Sequence, residues 1–489
     1  MATALAQRSF LATRRGKLTL VLLAAVAFLD FVDASIVNVA LPSIRRDLHM
    51  SVQSLQWIPS AYLLTYGGFM LLGGRAADLL GRRRVLVSGT VVFGVSSLTA
   101  ALSGISGVLI GARLAQGVGA AMMLPAALSI LTTTFVEGAD RNKALGAWGG
   151  MAGLGSAVGV LLGGVLTQGP GWRWVFYVNP PICLLVLGAT LWLISSERRR
   201  AQLANFDLLG AVLATGGMLL LVYGLVRAPA VGWGSTRTFI EFAGAIVLLV
   251  AFVINEQRSP NPLLPLSIFR VKGLAAADVT QLIGVAGFIA MFFFLTLYMQ
   301  DVLGYSPIRT GLAYLPVTAG VGMSAGVTSK LLSRIGTRPI LVAGSLIAAG
   351  GVYWLAFVPV HGSYLTDVLP DMVMMSIGLG AEFVAATAAA NAGVPFDKAG
   401  LAAALLNASQ QLGGALGLAI FSAIATSRTT HLLATHTPVP DALASGFHRA
   451  LLAASLFLVA AAAIATRTTN TRGETDLPLG AVQRDLMGT

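Results

Sequence analysis

Apolar residues in this chain fall into long runs separated by short polar, charged or glycine-rich stretches. The first run, 20–41, holds the roughly 20 residues that a bilayer-spanning helix needs. Others lie near 55–73, 85–103, 107–134, 144–166, 174–195, 207–226, 239–255, 274–299, 308–332, 338–358, 365–390, 400–425 and 447–466. The pattern predicts an all-α integral membrane protein with fourteen transmembrane helices. Between the second and third runs, residues 73–86 read as a charged connecting loop carrying Arg75, Asp78, Arg82, Arg83 and Arg84, with Gly74 and Gly81 supplying backbone freedom. The stretch 329–341 matches 74–86 with Gly336 falling on Gly81, Lys330 on Arg75 and Arg338 on Arg83, although Ser333 stands where an aspartate would be needed. The same offset lays the ninth run on the first and the tenth on the second. Two six-helix pseudo-repeat bundles with two extra helices inserted between them follow from this. The expected divisions are 1–200 for the first bundle, 201–258 for the inserted pair, 259–467 for the second bundle and 468–489 for a cytoplasmic tail.

Composition agrees with a membrane protein. A water-soluble chain of 489 residues with a mean hydropathy of +0.80 would expose more apolar surface than water tolerates. The net charge of +12 is not read as a nucleic-acid footprint, because the arginines sit at the ends of apolar runs rather than on one basic face. Counted with the N-terminus inside, 23 of the 32 lysines and arginines fall on the inner side and eight on the outer, with Arg113 inside the membrane. Both termini are therefore expected in the cytoplasm and the protein in the plasma (inner) membrane. The first run is too long for a secretory signal, and Asp30 and Asp33 interrupt it. The single cysteine, Cys183, lies in an apolar run and permits no intrachain disulfide. His431, His436 and His448 read as solvated residues of the outer loop before the last run, without the spacing of a metal site.

Ionisable groups inside a membrane are costly, which makes each one a functional candidate. Asp30 and Asp33 lie three apart on one helical face, and two such carboxylates do not both ionise cheaply in a low dielectric. They are candidates for proton exchange, and Arg113 in the fourth run is the natural counter-charge. Asp278 and Glu382 bring acids into the second half. An intramembrane enzyme would need a nucleophile facing a base, yet no histidine falls within a run beyond His448 at the edge of the last one, and no serine–lysine pair stands out. A sensor or scaffold would have no use for several buried acids.

Several of these stretches carry a resemblance. The pattern Gly74, Asp78, Gly81, Arg82 and Arg83 is similar to the loop between helices 2 and 3 of the major facilitator superfamily, with Ala76 where leucine is usual and Leu79 where a basic residue is common. The stretches D-A-S-I-V-N-V-A-L-P at 33–42, L-Q-W-I-P-S-A-Y-L-L at 55–64, which holds Trp57 and Tyr62, and W-R-W-V-F-Y-V-N-P-P at 172–181 resemble its fourteen-helix drug:proton antiporter branch. The Arg113–Gln116–Gly117 pattern is similar to that family's fourth-helix motif, whose arginine serves proton coupling. The glycine run containing Gly159 and Gly163 resembles its antiporter motif, with Val160 in the place of a proline. The resemblance implies a proton-coupled exporter of small lipophilic compounds working by alternating access, the acids Asp30, Asp33 and Glu382 in an otherwise apolar cavity point to cationic ones, and a dedicated exporter of one metabolite, such as an antibiotic or amino acid, is the alternative. Proton coupling would then rest on Asp33, Arg113, Asp30 and Glu382. Substrate would meet Asp30, Asp33, Trp57, Tyr62, Asp278 and Glu382, and gating would use Gly74, Asp78, Gly81, Arg82, Arg83, Gly159 and Gly163. Protons are the coupling ion, no cofactor or metal is implied, and the expected working unit is a monomer in the lipid bilayer.

Overall fold

A computed structural model of the chain describes residues 10–135, 139–195, 207–394 and 398–471. The basic run at 197–200 and the tail beyond 471 lie outside the described residues. The long helices are α1 (Arg14–Asp47), α2 (Trp57–Leu80), α3 (Arg82–Leu102), α4 (Ser106–Thr134), α5 (Ala139–Gln168), α6 (Asn179–Leu193), α7 (Leu208–Val231) and α8 (Thr236–Arg258). They continue with α9 (Leu274–Leu297), α10 (Leu315–Ile335), α11 (Thr337–Leu355), α12 (Leu369–Asn391), α13 (Ala399–Ala434) and α14 (Val439–Ala465). No strand occurs among the described residues.

Among the described residues, twelve helical segments are long and apolar enough to cross a membrane. The two long helices outside that set are α2 and α10, of 24 and 21 residues. At about 1.5 Å per residue both reach the roughly 30 Å of a hydrocarbon core, but glycines, serines and threonines lower their apolarity. Those small residues serve contact: a Cβ at Gly73 would stand 2.0 Å from the carbonyl oxygen of Ala121 on α4, and one at Gly320 would meet Ser376 Oγ of α12 at 2.0 Å.

The connection at 73–86 is not a loop. Helix α2 runs on through Asp78 to Leu80 and α3 begins at Arg82, so Gly81 alone makes the turn, at φ 99° and ψ 128°. The stretch A-A-D-L-L is made largely of good helix formers, and the backbone stays helical after the chain has stopped being apolar. Gly336 turns α10 into α11 in the same way, at φ 95° and ψ 166°. Such a conformation strains any residue with a Cβ by about 1–3 kcal/mol. Gly81→Ala is accordingly expected to lower the melting temperature of the purified protein in detergent. Unchanged melting would mean that α2 and α3 can turn without a left-handed residue.

The last two helices also extend past their apolar runs, which corrects the position of two histidines. His431 lies in the last turn of α13 and His448 within α14, where its Nε2 is 2.8 Å from the carbonyl oxygen of Val358. Only His436 remains in the connection.

Helices α1 to α6 pack among themselves, chiefly α2 and α3 on α4 and α1 on α5; α9 to α14 do the same through α9 on α13, α10 and α14 against their neighbours α12 and α11, and α11 on α12. The two sets meet where α2 lies along α13 and where the short helix Pro307–Ala313 meets α5. A Cβ at Gly67 would sit 2.9 Å from Gln411 Cβ, and one at Gly164 would sit 2.7 Å from the carbonyl oxygen of Pro307. At the C-terminal end of α1, Arg45 pairs with Asp301 at 3.1 Å and Gln300 donates to the carbonyl of Val39 at 2.9 Å. Asp301 belongs to a short π-helical turn, Tyr298–Val302, that extends α9. At the opposite end, the glycine face of α5 at Gly146, Gly149, Gly150 and Gly153 has open space beside it. An ion pair and a hydrogen bond to backbone thus clasp the halves at the first of these ends. Helix α7 packs on α8 and lies against both α2 and α13, with Gly68 facing Thr215.

Candidate functional site

The densest buried polar cluster is assembled by four helices around Asp33, which has no exposed surface. Its Oδ2 accepts from Arg113 Nη1 at 2.7 Å, and its Oδ1 accepts from Gln116 Nε2 at 2.8 Å and from Asn179 Nδ2 at 2.7 Å. Arg113 and Gln116 lie three apart on α4, so both reach the same face of α1. Asn179 opens α6, where the two prolines that follow fix the first turn of the helix. Ser97 of α3 closes the cluster by accepting from Asn179 at 2.8 Å and donating to the carbonyl of Phe176 at 3.1 Å.

Arg113 has further partners. Its Nη1 also donates to Gln116 Oε1 at 2.8 Å and its Nε to the carbonyl of Ile58 at 3.2 Å, while the guanidinium lies 4.3 Å from the centre of the Tyr62 ring. A charge taken out of water needs this many partners. Close approach of α2 and α4 is what brings them together: a Cβ at Gly117 would stand 2.2 Å from Thr65 Oγ1 and 2.3 Å from the carbonyl oxygen of Tyr62.

Asp30, one turn before Asp33, is also buried but meets different chemistry. Tyr62 Oη donates to its Oδ1 at 2.5 Å and Tyr66 Oη to its Oδ2 at 3.3 Å. Its hydrogen bonds come from neutral hydroxyls, those of Asp33 from a guanidinium and two amides. On the far side of α1, Gly159 and Gly163 of α5 let that helix touch α1 at the same level: a Cβ at Gly159 would be 1.9 Å from Ser35 Oγ and one at Gly163 2.7 Å from the carbonyl oxygen of Ile36.

Glu382 of α12 stands in the second half, where Ser345 Oγ of α11 donates to its Oε2 at 3.0 Å. Its other oxygen fills the space left by Gly284 of α9, at which a Cβ would be 1.7 Å away. Asp278 is buried in α9, and neither of its carboxylate oxygens has a hydrogen-bond partner among the described residues. The contacts of Glu382 and Asp278 are thus separate from the Asp33 cluster. Trp57 packs near Tyr223 of α7, with ring centres 6.4 Å apart, on a different face of α2 from Tyr62.

The arginines at the turn between α2 and α3 are bound outward. Arg82 donates to Thr133 Oγ1 at 2.9 Å and lies 3.9 Å from Asp78, while Arg83 donates to the carbonyl of Leu191 at 2.9 Å. Gly74 has room beside it, with only Pro125 near at 3.8 Å; the tight position is Gly73. Sequence reasoning singled out Asp33, Arg113 and Tyr62 but missed Asn179, Ser97 and Tyr66 as members of the site. The motif at 172–181 contains Asn179, and a buried amide flanked by prolines was the available signal.

The model of the Major Facilitator Superfamily matches residues 23–418. The puromycin resistance protein pur8 of Streptomyces alboniger is 39% identical over 435 residues, covering 87% of this chain and 85% of that protein. The cephamycin export protein CmcT of Amycolatopsis lactamdurans is 38% identical over 451 residues, covering 91% of each. In fold, the chain is similar to a bacterial homologue of the human lysosomal transporter Spinster in its inward-facing and occupied conformation, with a TM-score of 0.65, 18% identity and coverage of 94% of this chain and 98% of that one. With a helical membrane architecture, a buried charged cluster and these relatives, the chain belongs to the Major Facilitator Superfamily and is a multi-spanning membrane transporter.

Proposed function

We propose that the chain is a proton-coupled antiporter that exports small lipophilic, cationic drugs or antibiotics by alternating access, with fourteen spans and both termini in the cytoplasm. The observation that carries this reading is the Asp33–Arg113 ion pair, held with Gln116 and Asn179 in the middle of an apolar bundle. A proton on Asp33 and the guanidinium of Arg113 compete for the same carboxylate. When the proton binds, Arg113 loses its anion but keeps its bonds to Gln116 and Ile58, which offset part of that cost, and α4 is released from α1 at one point. Asp30 with Tyr62 lies one turn away and supplies an anionic, aromatic surface suited to a lipophilic cation. Under the proposed orientation, the end clasped by Arg45 and Asp301 is the outer one, and the arrangement is closed to the outside. The division into two six-helix bundles and an inserted pair supports rocking about that clasp.

A dedicated exporter of one antibiotic is the second reading, favoured because the two relatives are each named for a single antibiotic. One experiment separates these ideas: proton flux in proteoliposomes of the purified protein, driven by an imposed pH gradient, across a panel of lipophilic cations, puromycin and a cephamycin. Proton release with several cations is the expected result. A response to one compound alone supports the second reading, and transport without proton movement overturns the coupling.

A further inference from the structure

Away from the charged cluster, α10 and α11 splay apart over α12 and leave a groove of about 780 Å³. Met323, Val327 and Leu331 of α10 line one wall, Ile340 and Ile347 of α11 the other, and Ile377 of α12 belongs to the floor. Ser324, the hydroxyl nearest the middle of the α10 wall, is turned to the carbonyl of Ile377 at 2.6 Å and so leaves the groove without a free donor there. The far wall, α11, packs on α12 and α14 and not on the first half, so the groove faces outward from the protein. Met323 and Val327 are 68% and 63% exposed, which sets them against the bilayer rather than a neighbouring helix. From Pro316 to Ile335 the lining follows α10 for about 28 Å at ~1.5 Å per residue, close to the roughly 30 Å of a hydrocarbon core.

The two ends of this groove differ in charge. The helical stripe Met323–Val327 continues at the same spacing into Lys330 and Arg334, and Arg338 follows at the start of α11. All three are exposed, and no acid occurs anywhere from 302 to 366. Arg338 is held in place from behind, since its Nε donates to the carbonyl of Thr468 at 2.8 Å and its backbone nitrogen to Asn470 Oδ1 at 3.2 Å. Thr337 receives the same segment, donating from its Oγ1 to the carbonyl of Thr469 at 2.8 Å. A long apolar channel capped at one end by three cations matches a molecule with apolar tails and an anionic head.

We propose that the groove between α10 and α11 binds an anionic phospholipid of the surrounding bilayer, its acyl chains lying along the two helices and its phosphate meeting Lys330, Arg334 and Arg338. The site is separate from the Asp33 cluster and does not depend on which solute is carried. The test is native mass spectrometry of the full-length protein in detergent, titrated with phosphatidylglycerol and, separately, phosphatidylcholine. Wild type is expected to retain phosphatidylglycerol preferentially. Lys330→Gln with Arg334→Gln should reduce that retention about tenfold and leave phosphatidylcholine unchanged, as the loss of two surface cations implies. Ala343→Phe, which places a ring in the open groove beside Ile340 and Ile347, should reduce the retention of both lipids. Arg84→Gln, an exposed cation at the start of α3, serves as the control and should leave retention as in wild type. Wild-type phosphatidylglycerol retention in the double variant, undiminished binding in Ala343→Phe, or an equal loss in Arg84→Gln would each overturn the assignment.

Discussion

Asp33→Asn is expected to abolish uphill, proton-driven transport while leaving downhill solute exchange. Asparagine keeps the size of the side chain and loses the carboxylate for which, under the proposed coupling, a proton and Arg113 compete. One proton moving through 100 mV supplies about 2.3 kcal/mol, enough for a roughly 50-fold gradient of a neutral solute. In the variant that gradient should collapse to none. The change also leaves Arg113, at 1% exposure, without its anion, and breaking a buried pair on one side costs about 3–5 kcal/mol. A companion variant, Asp33→Asn with Arg113→Gln, removes both charges, so folding is restored and decoupling is read by itself. Asp30→Asn should do less, because its partners are the neutral hydroxyls of Tyr62 and Tyr66, which can bond an amide oxygen as well. The measurement is substrate-dependent proton flux in proteoliposomes, and a wild-type proton-to-substrate ratio in Asp33→Asn would move the coupling role to Glu382, Asp278 or Asp30.

The second large effect is expected from Asp301→Asn, which should open the clasped end. Asp301 is 7% exposed at the side chain and Arg45 20%, so the pair is partly desolvated and worth more than a surface contact. It joins α1 to the π-helical turn after α9, and alongside it Gln300 reaches across to the carbonyl of Val39 and Ile308 N–H to Gln168 Oε1. Arg45 can rehydrate when its partner is neutral, so the closed arrangement loses the pair without the penalty of a buried lone cation. A shift of about tenfold in the ratio of open to closed forms corresponds to roughly 1.4 kcal/mol. Distances between spin labels at the exposed residues Arg46 and Arg309, in a Cys183→Ala background, would report it. An unchanged distance distribution would show that apolar contact, not the ion pair, holds that end shut.

Much of the helical layout was legible because a bilayer demands long apolar runs. What hydropathy could not show was where helices stop. Helix α2 continues through the charged residues to Leu80, and α13 continues to Ala434, because backbone hydrogen bonding and helix propensity persist where apolarity ends. Helix α2 illustrates the converse: its glycines help keep it out of the twelve segments apolar enough to span a membrane and also let it touch α4 and α13. In the charged cluster, Asp33 and Arg113 were visible as charges inside apolar runs. Asn179 and Ser97 were not, since a neutral polar residue in a membrane helix is common and its partner lies far away in the chain. The role of Gly284 emerges only once Glu382 is seen filling the space beside it.

Helix α7 has a consequence for solutes that dissolve in the membrane before they reach the transporter. It lies against α2 and α13 together, touching the first through Thr215 at Gly68 and through Tyr223 beside Trp57, and so roofs one of the two seams where the halves meet. The other seam, between α5 and the short helix Pro307–Ala313, has no such roof among the described residues. A lipophilic molecule diffusing in the plane of the bilayer therefore meets two unlike flanks, one shuttered by a further helix and one closed by direct contact between the halves.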